Sequence, residues 1–386
     1  MTVSHSNRAH ALLGASSAYR WLACPASARL EETFPETTTA YAEEGTRAHE
    51  LAQQYLENFI NGGEDNIMLF SREEQIVLKE LEPYTDFIIE KWNGIRSQHP
   101  EANIFFEQKL DFSQYVPDGF GTGDVLIIYD DVMEVIDLKF GKGVKVDAYN
   151  NPQLRLYGLG AYLAFGDIYD FTKVIVTIHQ PRLDHVSSEE LSVDELLDWA
   201  ENSVKPTAEL AYNGEGGYHP GDHCRFCKAA AVCRARAEAN LALAKMEFRS
   251  ADILDDEEIA EVLTKASELA KWAEAIEAYA LKEAIAGREF PGFKIVEGRS
   301  VRAITDPEAA VKILVENGTP EAMLYERKML TLTAMEKVVG KKSFTELLKD
   351  LIEKKPGKPA LVPASDKRPA FVPASIDFAD VVVDDE

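Results

Sequence analysis

Apolar residues recur at helical spacing along the first hundred positions. Ala48, Leu51, Ala52, Tyr55, Leu56 and Phe59 form one stripe and predict a helix over Thr46–Ile60, with His49 and Glu50 in its first turn. The same period predicts a second long helix over Ser71–Gln98, broken or offset near Pro83, whose ring removes a backbone donor. A shorter helix is expected in the second half of His5–Glu32, where Tyr19, Leu22 and Ala26 follow a Ser16-Ser17 cap. Thr37–Gly45 reads as a polar connection between these pieces.

The period then changes to two. Asn103–Leu110 (NIFFEQKL), Val125–Tyr129, Val132–Leu138 and Lys173–Gln180 read as strands, Glu107 stands in the middle of the first, and Asp130-Asp131 supplies a hairpin turn. A helix is predicted from about Asn150, and an amphipathic one over Leu191–Tyr212 before the glycine-rich turn Gly214–Gly221. Helix, three strands, helix, strand is the order of an α/β fold, a mixed β-sheet flanked by helices.

The last third carries no chemical motif. Asp255–Arg288 predicts a long helix and Phe293–Ile304 a hairpin about Glu297-Gly298. Helices are expected near Pro307–Asn317, Pro320–Arg327, Leu332–Val339 and Ser343–Glu353. Beyond Pro356 two similar segments, Leu361–Ser365 and Phe371–Ser375, lie in a proline-bearing tail ending in Asp384-Asp385-Glu386, which reads as extended or disordered. The expected division is 1–250, an α-rich 251–355 and a tail of 356–386.

Composition narrows the function classes. The 386 residues are 46% hydrophobic, have no apolar run long enough to span a bilayer, and begin without the apolar core of a signal peptide, so a soluble intracellular protein is expected. The net charge of −25 excludes whole-surface attraction to nucleic acid. A nucleic-acid site would have to be a local groove, for which Lys139, Lys142, Lys145, Arg155, Arg182, Arg225, Lys228 and Arg234 are candidates.

Three ionisable residues fall in telling places on the hairpin. Asp124 begins its first strand, and Asp137 and Lys139, two apart near the end of the second, share a face. Carboxylates from adjacent strands suit Mg²⁺ or Mn²⁺, and an ammonium beside them can position water or offset developing charge in phosphodiester hydrolysis. A buried Asp–Lys ion pair is the plainer alternative. Gln153 and Tyr157, four apart, share a helix face. Cys224, Cys227 and Cys233, spaced C-x2-C-x5-C, form a ligand signature whose fourth thiolate must come from Cys24. Zinc and [4Fe–4S] both remain open, and His219 and His223 keep zinc in play.

Taken together, GTRAHE with His49, GTGDV with Asp124, VIDLK with Asp137 and Lys139, Gln153-x3-Tyr157 and the one-plus-three cysteines resemble the RecB-like branch of the PD-(D/E)xK nuclease superfamily. The likeness, over about Ser16–Arg236, is greatest to its iron–sulfur members, the CRISPR-associated exonucleases and the nuclease domain of AddB-type helicase–nucleases. The chain also looks like an uncharacterised phage and prophage family. The resemblance implies a restriction-endonuclease-like fold and a metal-dependent DNA nuclease, an exonuclease of phage replication or recombination in the bacterial cytoplasm. It implies Mg²⁺ or Mn²⁺ held by His49, Asp124, Asp137 and the Leu138 carbonyl, with Lys139 acting on the attacking water. Gln153 would hold Lys139 or the substrate, and Tyr157 would pack beside the DNA path. The four cysteines would hold a structural [4Fe–4S] cluster, with structural zinc as the alternative. Asp137 stands where many members have Glu. The competing expectation is a catalytically silent module that binds DNA, or recruits phage recombination or replication proteins through its C-terminal region.

Overall fold

A computed structural model of the chain describes residues 11–35, 40–62, 67–244, 256–296, 306–317 and 339–348, with 320, 321, 324, 325, 335 and 351. The chain divides into two compact units, Met1–Lys282 and Glu283–Glu386.

The first unit is built on a five-stranded mixed sheet in the order β1-β2-β3-β4-β5: Asn103–Asp111, Phe120–Tyr129, Val132–Leu138, Lys173–Gln180 and His185–Ser192. β3 and β4 are parallel and the other neighbours antiparallel. The parallel pair requires a crossover, which α5 (Pro152–Phe165) supplies. Every residue of β3 is buried, as expected of a strand covered on both faces.

Strand alternation feeds two cores. Leu126, Ile128, Met133, Val135, Val174, Val176 and Ile178 pack with α5, the N-terminal segment and the later helices α6 (Val193–Trp199) and α7 (Lys205–Asn213). Val125, Ile127, Ile136 and Leu138 pack on the opposite side with α3 (Ala40–Gly62) and α4 (Arg72–Gln98). The N-terminal helix is two short ones, α1 (Ala18–Ala23) and α2 (Ser27–Glu32), parted at Cys24-Pro25. α8 is Arg234–Ala244 and α9 Asp256–Ile285. In the second unit α10 spans Pro307–Glu316 and α11 Lys341–Leu348.

Several sequence expectations are corrected. α3 already runs at Ala40, so the connection expected over Thr37–Gly45 is helical from there. α4 passes through Pro83 unbroken, its start fixed by a Ser71–Glu74 capping box. The helix expected over Leu191–Tyr212 gives up its first residues to β5, a polar edge strand, and contains one π turn at Ala200–Val204. β2 begins at Phe120, which puts Asp124 inside the strand and not at its start. Residues 293–296 are not in a strand, and the remainder of the hairpin expected to Ile304 lies outside the described residues. The same holds for most of the expected Pro320–Arg327 and Leu332–Val339 helices and for the 356–386 tail. Among the described residues no helix is long and apolar enough to cross a membrane.

Candidate metal centre

The strands β2 and β3 pair from Tyr129↔Val132 down to Val125↔Ile136, and the pairing stops at Asp124 and Asp137. At this open end the Asp124 side chain takes over a backbone role: its Oδ2 accepts from the Leu138 amide at 2.6 Å. Its Oδ1 lies 3.0 Å from His49 Nδ1, which ties the sheet to α3.

Asp137 is almost completely buried, with 2% of its side chain exposed. Its Oδ2 stands 3.0 Å from Lys139 Nζ, an ion pair without hydrogen-bond geometry, and its Oδ1 accepts from Gln153 Nε2 at 3.3 Å. Gln153 also accepts from Lys139 Nζ at 2.9 Å and donates to Tyr157 Oη at 3.0 Å. Tyr157 itself is buried; a Cβ at Gly121 would stand 2.6 Å from its ring, so glycine is needed there. Tyr157 therefore fixes Gln153 from below and does not line an open path.

One member of the centre escaped the sequence reading. Phe106 pairs with Val125 and Gln108 with Gly123, so Glu107 faces Asp124 across β1 and β2. Its φ of +44° breaks the ladder there, a conformation that costs on the order of 1–3 kcal/mol in a non-glycine residue. Ligand atoms of His49, Glu107 and Asp124 all lie within 4.8 Å of one another. A carboxylate in the middle of an apolar strand was the visible signal; its meaning depended on register.

The charges perturb one another strongly. Burial pulls the His49 imidazole down, but Asp124, with Asp137 and Glu107 behind it, outweighs this and lifts it to about 9. Burial first, then Asp124, pushes Glu107 up to about 7, against the pull of His49. Burial raises Asp137 too, opposed by Lys139. Three carboxyl groups, of Glu107, Asp124 and Asp137, thus crowd a site where the compensating charge is one imidazolium and one ammonium. One imidazole nitrogen and the carboxylate oxygens of this cluster are a donor set that could hold a divalent cation, which would relieve the repulsion.

The four cysteines, all free thiols, line one pocket between the N-terminal helices and the 218–235 segment. The His219 amide points to Cys24 Sγ at 3.4 Å and the Gly221 amide to Cys224 Sγ at 3.5 Å. Burial raises the Cys224 thiol and, with Glu31 next, pushes Cys227 up to about 12. Such thiols become thiolates on binding a metal. His223 Nε2 lies 2.7 Å from the His219 carbonyl, so that ring nitrogen is already engaged. The buried Glu31 fastens the pocket wall, pairing with Arg20 at 2.6 Å and accepting from the Lys228 amide at 2.8 Å.

Two of the eight proposed groove cations are internal ties. Arg155 Nε bonds Glu189 at 3.1 Å, and Arg182 bonds Glu80 and Glu44 while its guanidinium lies 3.6 Å from the Phe140 ring centroid.

Fold and site together define an α/β protein with a candidate cation centre where its central strands part and a separate four-thiol pocket. The chain belongs to the family described as "Protein of unknown function (DUF2800)", which it matches over residues 10–369. A solved structure titled "Crystal structure of SSO0001" is similar to it over 55% of this chain and 95% of that one, at 13% identity and a TM-score of 0.22.

Proposed function

We propose that the protein is a metal-dependent DNA nuclease, an exonuclease working in phage replication or recombination. The observation that carries this reading is the convergence of His49, Glu107, Asp124, Asp137 and Lys139 from α3 and three strands, with Gln153 holding Lys139. Mg²⁺ or Mn²⁺, held by His49, Asp124, Glu107 and Asp137 with the Leu138 carbonyl, would supply Lewis acidity at the phosphate and a water of lowered pKa.

The chain's own part centres on Lys139. Gln153 Oε1 accepts from its ammonium, and Asp137 Oδ2 stands 3.0 Å away as counter-charge. An ammonium has three donors, which leaves it able to orient a water or a phosphoryl oxygen. Water oxygen attacks phosphorus as the bond to the leaving sugar oxygen breaks, and the Lys139 charge offsets what builds on the phosphoryl oxygens. Gln153, held by Tyr157, keeps the ammonium in place through the reaction.

The four cysteines would hold a structural [4Fe–4S] cluster joining the N-terminal helices to the 224–233 segment; hydrolysis requires no electrons. Metal analysis of an anaerobic preparation distinguishes this from a single zinc.

End-labelled single- and double-stranded DNA with Mn²⁺, then with EDTA, is the direct test of the nuclease. Cleavage that needs metal and disappears in Asp137→Ala is expected; its absence, or full cleavage by the variant, refutes the reading. The net charge of −25 and the engagement of Arg155 and Arg182 count against a DNA path and so favour the recruiting form of a second reading, a silent module that binds DNA or recruits recombination or replication proteins. Binding of DNA or of such a partner without cleavage would select it.

A further inference from the structure

The chain leaves the centre at Lys139 and returns to it at Gln153, fourteen positions on, although these two side chains are 2.9 Å apart. Connections of this length without secondary structure of their own are uncommon in compact domains and are usually functional. This one is also held firmly. Gln180, itself buried, grips it twice, accepting from the Val146 amide at 2.8 Å and donating to the Val144 carbonyl at 2.9 Å. His185 Nε2 lies 3.0 Å from the Val146 carbonyl, Ser187 accepts from the Ala148 amide at 3.0 Å, and Glu189 from the Asn150 amide at 3.1 Å.

The anchored backbone belongs to the even-numbered residues. Between these anchors the odd-numbered Lys145, Asp147 and Tyr149 are all exposed. Tyr149 is 73% exposed, an aromatic ring on a rigid backbone that contributes nothing to the core. Asp147, the acidic exception, stands 3.4 Å from His185. At the other end Lys142 is near enough to α3 to act on Glu44, whose carboxyl is held low first by Arg182 and less strongly by Lys142. The segment thus runs from beside the His49 helix to the cap of α5, where Asn151 accepts from the Gln153 and Leu154 amides.

A fastened backbone presenting one ammonium group and one exposed ring, with the second ammonium, Lys142, just ahead of it, suits a polyanion with splayed-out bases. Phosphates meet the cations, and stacking on an aromatic side chain requires a base outside a duplex. Resting on the nuclease reading, we propose that Gly141–Asn150 is a guide rail for single-stranded DNA: Lys142 and Lys145 contact its phosphates and Tyr149 stacks on one base beside the scissile phosphate. The buried Gln180 and Glu189 and the half-buried His185 and Ser187 pre-organise the rail, so that binding does not have to order it.

Anisotropy of labelled oligo-dT and of a labelled duplex, measured on the full chain in EDTA, tests the rail without turnover. Tyr149→Ala should weaken oligo-dT binding about five-fold or more and leave the duplex unchanged, with Tyr149→Trp restoring the affinity. Lys142→Ala with Lys145→Ala should lower the salt dependence of oligo-dT binding by about 1.4 in log–log slope. Equal oligo-dT affinity for wild type and Tyr149→Ala, or equal losses on both substrates, overturns the rail. Metal-dependent cleavage insensitive to Tyr149→Ala keeps the nuclease and discards the rail. Stacking-dependent binding with no cleavage keeps the rail and discards the nuclease.

Discussion

Cation binding to the centre should expel protons from His49 and Glu107. His49 at about 9 is roughly 99% protonated at pH 7, and Glu107 at about 7 is about half protonated. A metal takes neutral imidazole and ionised carboxylate, so these two groups should release about 1.5 protons on binding at pH 7. Protons compete with the cation, so its affinity rises with pH. Between pH 6 and pH 8, His49 contributes about a 90-fold gain and Glu107 about ten-fold, together about 900-fold or about 4 kcal/mol. Calorimetric titration of Mn²⁺ into the full chain, at pH 6, 7 and 8 and in two buffers of different ionisation enthalpy, measures both quantities. Glu107→Gln should remove its share and, because the Glu107 charge also helps lift His49, leave a gain of at most about 90-fold. An affinity that changes less than ten-fold over this range, or release of less than one proton at pH 7, would refute the assignment of His49 and Glu107 as ligands.

Three further outcomes follow from the packing. Gly160→Ala on α5 would place a Cβ 2.8 Å from Leu110 Cβ and 3.2 Å from its backbone, so denaturant unfolding should show a loss of about 1–3 kcal/mol. Lys91→Met leaves the buried Glu134 without its 2.6 Å partner and should cost about 3–5 kcal/mol, most of it regained when Glu134→Met is added. His179, packed against Tyr84 and Phe87, is driven by burial down to about 4 from 6.5. Its neutral form is the folded one, so its contribution to stability is complete above about pH 6.5 and lost as pH falls toward 4, as acid titration of the unfolding midpoint will show.

Much of the sheet was legible because a strand covered on both sides leaves a mostly apolar run, as in VMEVIDL, where only Glu134 and Asp137 interrupt it. The pairing of Asp137 with Lys139 follows from the period of two, and that of Gln153 with Tyr157 from the helical turn. What escaped depended on partners distant in sequence. β5, HVSSEELS, is an edge strand with little to bury, and its polar residues serve the neighbouring loop. Glu107 gains its meaning from register with Asp124, and Gly121 and Gly123 hid the true start of β2. Arg155 and Arg182 looked like groove cations because their acidic partners lie 34 and 102 positions away.

His49 and Asp124 meet across seventy-five positions, and the last member of the cluster, Gln153, sits on the crossover helix. During synthesis, no partial product can assemble the site before α5 has emerged and docked, because the imidazole and the amide that flank the acidic pair arrive at opposite ends of the process. A ribosome-bound fragment that ends before α5 therefore lacks the completed centre, and its cluster of acidic side chains stays open until that helix is in place.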